Sequence, residues 1–280
     1  MQPSFSLPRA WNLLLNFAFQ QAASCFFPGL ILLLLLLTWF VEIPGLPRYD
    51  FLLLCCILIQ VWMVWGLRVE TVDELKTITL FHAIAMAMEI YKVNLGSWAY
   101  PGDAYTKVLG VPLFAGFMYA AVASYITQAW RRLHLRLENF PPSWVNWLFV
   151  LLIYGNFYTN AVVYDIRWLI IGGLFAAYWR TRIYFSLSEK PFSRPSPLVA
   201  PAHEFWLPAK LGFLLVASFI WIAENIGTYL GAWQYPNQAN GWQMVSVSKL
   251  TSWSLLFIVS FVLVAQLKRI KALRTGAERF

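Results

Sequence analysis

Glu89 and Glu224 each open a thirteen-residue stretch that occurs twice in the chain. The first is Glu89-Ile-Tyr-Lys-Val-Asn-Leu-Gly-Ser-Trp-Ala-Tyr-Pro101 and the second is Glu224-Asn-Ile-Gly-Thr-Tyr-Leu-Gly-Ala-Trp-Gln-Tyr-Pro236. Glu, Leu, Gly, Trp, Tyr and Pro match at shared spacings, where average residue usage gives about one match by chance. Each copy lies between long apolar runs, so each carboxylate reads as buried within a membrane. A carboxylate there is costly unless it is paired, hydrated or protonated. Two such groups with pKa values pushed apart can divide acid and base roles between them. The plainer alternative is a protonated Glu that hydrogen-bonds a neighbouring helix and holds two halves of the protein together.

The two copies diverge around the carboxylate. His82 lies seven residues before Glu89 and Lys92 three after it, where the second copy has Ala217 and Gly227. The second copy has Asn225 and Thr228 beside Glu224, with Lys249 in the following apolar run. Glu89, Glu224 and His82 are the catalytic candidates. Trp98, Tyr100, Trp233, Tyr235, Asn156, Asn160, Lys92 and Lys249 are the substrate-binding candidates. Each has a bland reading beside it. His82 reads equally as a buried, hydrogen-bonded histidine, and Lys92 as a side chain reaching for the interface. Lys249 reads as a partner of Glu224. Asn156 and Asn160, one helical turn apart, read as interhelical hydrogen bonds. Asp50 and Asp165 each follow a Tyr at the start of an apolar run and read as helix caps.

No second histidine shares the depth of His82, since His134 and His203 fall at the ends of apolar runs. Cys25, Cys55 and Cys56 lie in apolar runs without metal-ligand spacing. No metal and no cofactor is therefore expected. The sequence has no Ser-His-Asp arrangement, zinc motif, phosphate loop or aspartate-rich prenyl-diphosphate motif. Isomerisation, hydration or cyclisation by acid/base catalysis remains as compatible chemistry. A proton-coupled transporter and a non-catalytic lipid-binding scaffold fit the same residues.

The elements that must position these groups are apolar helices. The chain is 60% hydrophobic, 18% aromatic and 12% charged, about half the charge of a soluble domain. Runs long enough to cross ~30 Å of hydrocarbon recur. Eight spans are predicted at about 20–41, 51–68, 74–95, 108–130, 144–161, 164–182, 207–230 and 244–267. The fold class is all-α, a polytopic membrane protein of about eight transmembrane helices in two parallel four-helix repeats. The first repeat covers 1–136 and includes an amphipathic segment in which Asn12, Asn16, Gln20 and Ser24 recur at four-residue spacing. This segment lies on the membrane surface or forms the foot of the first span, with a kink at Pro28-Gly29. The second covers 137–280, with a Pro/Ser-rich connector at 183–206 and a basic tail from Lys268 to Arg279. Tyr49-Asp50 and Tyr164-Asp165 extend the repeat. The charge of +8 clusters where apolar runs end, at Arg131, Arg132, Arg136, Arg180, Arg182, Lys268 and Arg269. That is the positive-inside pattern rather than a nucleic-acid surface. It places the chain in the inner (cytoplasmic) membrane with both termini cytoplasmic. Membrane lipids and a hydrophobic small molecule are the expected partners; the oligomeric state is open.

With the Glu-x6-Gly-x-Trp-x-Tyr-Pro repeat in view, the chain resembles an uncharacterised bacterial membrane family, domain of unknown function 817, over about 69–270. That resemblance implies no activity. A weaker likeness is to carotenoid hydratases and the related small lycopene cyclases. Glu89, Gly96, Trp98 and Tyr100, followed by Leu109-Gly-Val-Pro112, look like their Glu…Gly…Phe-Gly-x-Tyr…Gly-x-x-Pro pattern. This chain has Trp where they have Phe-Gly, and its Tyr-Pro falls at a different spacing. The likeness implies protonation chemistry on a long polyene, with Glu89 and Glu224 carried over as candidate acids.

Overall fold

A computed structural model of the chain describes residues 7–160, 163–188 and 203–275. Among them the fold is mostly helical. The helices are α1 (Leu7–Ser24), α2 (Phe26–Phe40), α3 (Arg48–Val61, continued by a π-helical turn Trp62–Gly66), α4 (Val72–Asn94) and α5 (Ala115–Arg132). α6 (Ser143–Thr159), α7 (Arg167–Ala177), α8 (Ala209–Tyr229) and α9 (Lys249–Thr275) follow. α2 to α9 stand one at each of the eight predicted spans. Three stretches are long and apolar enough to cross a membrane: Arg48–Gly66, Ala209–Tyr229 and Lys249–Ile270. α1 and α2, bent by 64° at their junction, make a fourth if they count as one span. α4 carries Asp73, Glu74, Lys76, Glu89 and Lys92. The 11 residues of α7 rise only ~16 Å, about half the hydrocarbon thickness.

The fold is not purely helical. β1 (Lys107–Val108) and β2 (Val111–Pro112) form a hairpin inside the predicted fourth span, which becomes helical only at Ala115. The two residues of its turn, Leu109 and Gly110, both have positive φ, as a type I′ hairpin turn requires. β3 (Arg136–Glu138), β4 (Arg182–Leu187) and β5 (His203–Pro208) form an antiparallel sheet in that order. The edges of the predicted connector are thus strands. Arg136 stacks 4.4 Å from the ring of Tyr184, directly opposite it, and Arg182 stacks 4.2 Å from the ring of Trp206. Pro191, Ser193, Pro195, Ser196, Pro197 and Pro201 lie outside the described residues, as does the tail beyond Thr275.

The polar stripe of α1 does not face solvent or lipid. Asn16, Gln20 and Ser24 are fully buried, and Asn16 Nδ2 donates to the Ser188 carbonyl at 2.8 Å. The chain bends at Cys25. Pro28 sits in the first turn of α2, where its missing N–H has no carbonyl to serve. Asp50 does not cap its own helix. Its carboxylate accepts from Tyr105 N at 2.7 Å and Thr106 N at 3.0 Å, tying down the loop before β1. Asp165 does act locally, accepting from Arg167 N at 3.0 Å at the start of α7.

α4 starts at a capping box, with Thr71 N donating to Glu74 Oε2 at 2.8 Å and Glu74 N to Thr71 Oγ1 at 3.2 Å. It stops at Gly96, which has φ +70°. Ser97 N then donates to Lys92 O at 3.0 Å and Gly96 N to Val93 O at 2.9 Å, the pair of bonds of a Schellman cap. α8 ends identically. Gly231 has φ +65°, and Ala232 N donates to Gly227 O at 2.9 Å and Gly231 N to Thr228 O at 3.1 Å. A Cβ on Gly96 would meet nothing within 4 Å, so backbone handedness, not close approach, is what requires glycine there. α4 packs on α5, α8 packs on α9, and α5 meets α9.

Gly96→Ala and Gly231→Ala should each destabilise the protein by about 1–2 kcal/mol, the cost of forcing a side chain into the left-handed region. Thermal unfolding in detergent would measure it. Unchanged melting temperatures would mean that these helices end another way.

Candidate functional site

Glu89 and Glu224 are 1% and 2% exposed. A buried carboxylate is an acceptor only, and leaving it unpaired costs several kcal/mol. The cap turns the chain so that Trp98 and Tyr100 in the first copy, and Tyr235 in the second, fold back onto the carboxylate two turns earlier. Glu89 Oε2 accepts from Trp98 Nε1 at 2.7 Å and from Tyr100 OH at 2.8 Å. Its Oε1 accepts from Tyr119 OH on α5 at 2.5 Å. Glu224 accepts from the Tyr235 hydroxyl on Oε1 and from the Trp253 indole on Oε2. Trp98, Tyr100 and Tyr235 are therefore buried against the carboxylates instead of lying at a bilayer interface.

The two cages differ for a steric reason. A Cβ on Gly227 would lie 2.3 Å from the Trp233 ring. Gly227 therefore lets Trp233 lie flat on α8, and the indole N–H for Glu224 comes from Trp253 on α9. The matching position in the first copy is Lys92. Trp98 cannot lie there and reaches Glu89 instead.

The motif loops meet each other. Ala99 N donates to Gln234 O and Gln234 N donates to Ala99 O, both at 2.9 Å. Ala99 and Gln234 occupy the same place between Trp and Tyr of the repeat. Such a reciprocal pair between equivalent residues puts a local twofold through this bridge. Across it, the rings of Trp98 and Tyr235 lie 6.1 Å apart, edge to face, and those of Tyr119 and Trp253 also lie 6.1 Å apart. The Tyr-Asp pairs do not share this symmetry. Tyr49 is buried and donates to Ala232 O at 2.8 Å, whereas Tyr164 is 91% exposed.

Both carboxylates line one cavity of about 320 Å³. Lys92, Trp98, Tyr100, Asn160, Trp233, Tyr235 and Lys249 line it too. Apolar side chains of α2, α5 and α9 line it as well: Ile31, Leu32, Leu35, Met118, Val122 and Leu256. Lys92 is buried, 4% exposed, with Nζ 2.9 Å from Asn160 Oδ1 and 4.5 Å from the Phe157 ring centroid, so it does not reach out to an interface. Lys249 Nζ stands 4.5 Å from the Tyr235 ring centroid and 5.8 Å from that of Trp98. It faces those rings rather than forming an ion pair with Glu224, which its charge still attracts.

Two candidates stand apart. His82 lines a separate cavity with Gln60, Thr79 and Phe117. Its ring packs 4.6 Å from Phe117 and against Gly116, where a Cβ would lie 2.7 Å from the imidazole. Sharing a face with Glu89 two turns away does not bring the two together. Asn156 turns to the α6–α7 loop, donating to Asp165 Oδ1 at 3.1 Å and accepting from Ile166 N at 2.8 Å. Burial raises the Asp165 pKa, but the Arg167 N–H, Asn156 and the Arg167 guanidinium outweigh that and hold it below the ordinary carboxylate range. Among the described residues no group of three His, Cys, Asp or Glu could hold a metal ion.

Tyr119, Trp253 and Arg167 also line the cavity and are absent from the sequence candidates. A signal existed for the first two. Tyr119 and Trp253 are separated by 134 residues, one fewer than the offset of the Glu motif, on the helix that follows each copy. A further buried carboxylate, Glu70, is also absent from the sequence candidates. At the opposite end of α4 it accepts from Gln60, Ser124 and Gln128, with Gln128 Nε2 at 3.4 Å.

The family model described as "Protein of unknown function (DUF817)" matches residues 13–261. The chain is also similar to "Uncharacterized protein YoaT" of Bacillus subtilis (strain 168), 45% identical over 263 residues, 94% of each chain. No solved structure matches.

Glu89→Ala would leave three buried donors without their acceptor, at about 1–3 kcal/mol each. It should lower stability more than Glu224→Ala, which strands two, and more than Glu89→Gln, which keeps one oxygen. Unfolding of the three purified variants checks this order. Glu89→Ala as stable as wild type would show that the cage is not made.

Proposed function

Because the chain belongs to the DUF817 family, whose description carries no activity, its chemistry must be read from the site. We propose that the cavity takes a hydrophobic small molecule of lipid or isoprenoid type, with Glu89 and Glu224 as its acid/base groups. The single observation behind this reading is that both duplicated carboxylates line one cavity together with apolar side chains of α2, α5 and α9. The Tyr119 and Tyr235 hydroxyls hold the carboxylates and line the same cavity. A phenol that donates to a carboxylate keeps a lone pair, so a proton can pass between guest and carboxyl group through it. A guest protonated by one carboxyl group would have its positive charge stabilised by the other in its ionised form.

The same reading puts the protein in the cytoplasmic membrane as a multi-pass chain of two related halves. Exposed Leu151, Leu169 and Phe219, each about 70% accessible, are suited to hydrocarbon rather than water. The end holding Arg131, Arg132, Arg136, Arg182 and Lys268 faces the cytoplasm under the positive-inside rule, and the motif end faces outward. A second reading, with the carboxylates as loop anchors only, is favoured by one observation: the Glu89 bonds all go to donors of the protein itself.

Lipid extracts of cells with and without the gene, compared by mass spectrometry, decide between them. The acid/base reading expects a species that changes with the wild-type gene and falls by about 100-fold or more with Glu89→Gln or Glu224→Gln, the usual loss of a general acid or base. Variants that fold and insert normally and leave the extract as the wild type does would leave the anchoring role standing alone.

A further inference from the structure

The carboxylates are duplicated, but the cations around them are not. Lys92 is matched by Gly227 in the second copy. Lys249, shifted by the same 135 residues, is matched by Phe114. Arg167, shifted by the 115 residues that relate the two Tyr-Asp pairs, is matched by Leu52. All three cations line the one cavity. All three stand at its motif end, on the last turn of α4 and the first residues of α9 and α7. Symmetric anchors with asymmetric charge are what an asymmetric guest requires.

The local hydrogen bonding leaves these cations under-used. An ammonium has three donors. Lys92 spends one on Asn160, and its other close neighbour is the Phe157 ring. The Lys249 ammonium stands over the Tyr235 and Trp98 rings and is near enough to Glu224 to be attracted by its charge. Among the described residues no hydrogen bond joins Glu89 or Glu224 to either lysine. Arg167 pairs with Asp165 at 2.6 Å and donates to Ser252 Oγ at 3.2 Å, also on the cavity wall. Among the described residues Asp165 is the one carboxylate that pairs directly with any of the three, through Arg167, so neither ammonium has an ion-pair partner in contact.

We infer that the motif end of the cavity is a head-group subsite for an oxyanion, a carboxylate or a phosphate, borne by an amphiphile whose apolar chain lies along the apolar side chains of α2, α5 and α9. Lys92 and Lys249 bind the oxyanion, and Arg167, held by Asp165, closes its third side. Leu32, Leu35, Met118 and Leu256 receive the chain. This assignment rests on the reading of the cavity as the seat of a hydrophobic guest, and it adds the charge of that guest.

Native mass spectrometry of the full chain, released from a neutral detergent, tests it with four probes: dodecanoate, dodecyl phosphate, dodecanol and inorganic phosphate. Dodecanoate and dodecyl phosphate should bind about tenfold or more tightly than dodecanol, ~1.4 kcal/mol or more. Lys92→Met and Lys249→Met should each remove most of that difference without weakening dodecanol, and Lys249→Arg should restore it. Equal binding of dodecanoate and dodecanol would overturn the subsite and leave the hydrophobic cavity intact. Inorganic phosphate binding as tightly as dodecyl phosphate would point to a free small anion and overturn the amphiphile. No binding by any probe would remove both the subsite and the reading beneath it.

Discussion

Two carboxylates taken out of water impose most of the local structure around them. The cost of burying each is several kcal/mol, and a hydrogen bond to a charged group returns about 1.5–3 kcal/mol. Glu89 meets that cost with three donors. Glu224 has two, and the nearby charge of Lys249 adds attraction. To bring the motif's own Tyr back to the carboxylate, the helix must end within two turns and reverse. That is the role of the left-handed glycine. Glutamate, glycine and tyrosine thus form a single device in both copies, and the first copy adds its own tryptophan.

The device also joins the two copies of the motif. Folding each loop back exposes the backbone of the residue between Trp and Tyr, and those two residues pair with one another. Each following helix contributes one more donor, Tyr119 from α5 and Trp253 from α9, and these two rings approach across the same axis. Space left between the two cages is the cavity. The surroundings of the two cages differ: Gly227 lets Trp233 lie on α8 where Lys92 stands in the first copy, and Lys92, Lys249 and Arg167 line the cavity.

Much of this frame is legible in the chain because it depends on short-range spacing. The motif, its cap and the position of every long helix follow from residues less than fifteen apart. Duplication alone leaves open whether Glu89 and Glu224 share one cavity, because that depends on how the two motif loops meet. Other features depend on contacts distant in sequence, and hydropathy does not carry them. Leu109-Gly110 sits in an apolar run yet adopts a hairpin turn. Arg182-Ile-Tyr-Phe-Ser-Leu187 is as apolar as a helix end, but its pairing with His203–Pro208 makes it a strand. His82 shares a face with Glu89 on paper, while seven residues of helical rise and the packing of Phe117 assign it to a different cavity. Lys92 read as a surface anchor because its depth alone was visible; Asn160, which turns it inward, comes from another helix.

Disulfide trapping across the bridge tests the central arrangement most directly. Hydrogen-bonded antiparallel partners have Cα atoms about 5.5 Å apart, within the range a disulfide spans. In a chain with Cys25, Cys55 and Cys56 replaced by alanine, Ala99→Cys combined with Gln234→Cys should cross-link in intact membranes under mild oxidation. Mass spectrometry would then show the two motif peptides joined. Both cysteines labelling with maleimide yet failing to join would contradict the meeting of the two loops, and with it the shared cavity between the carboxylates.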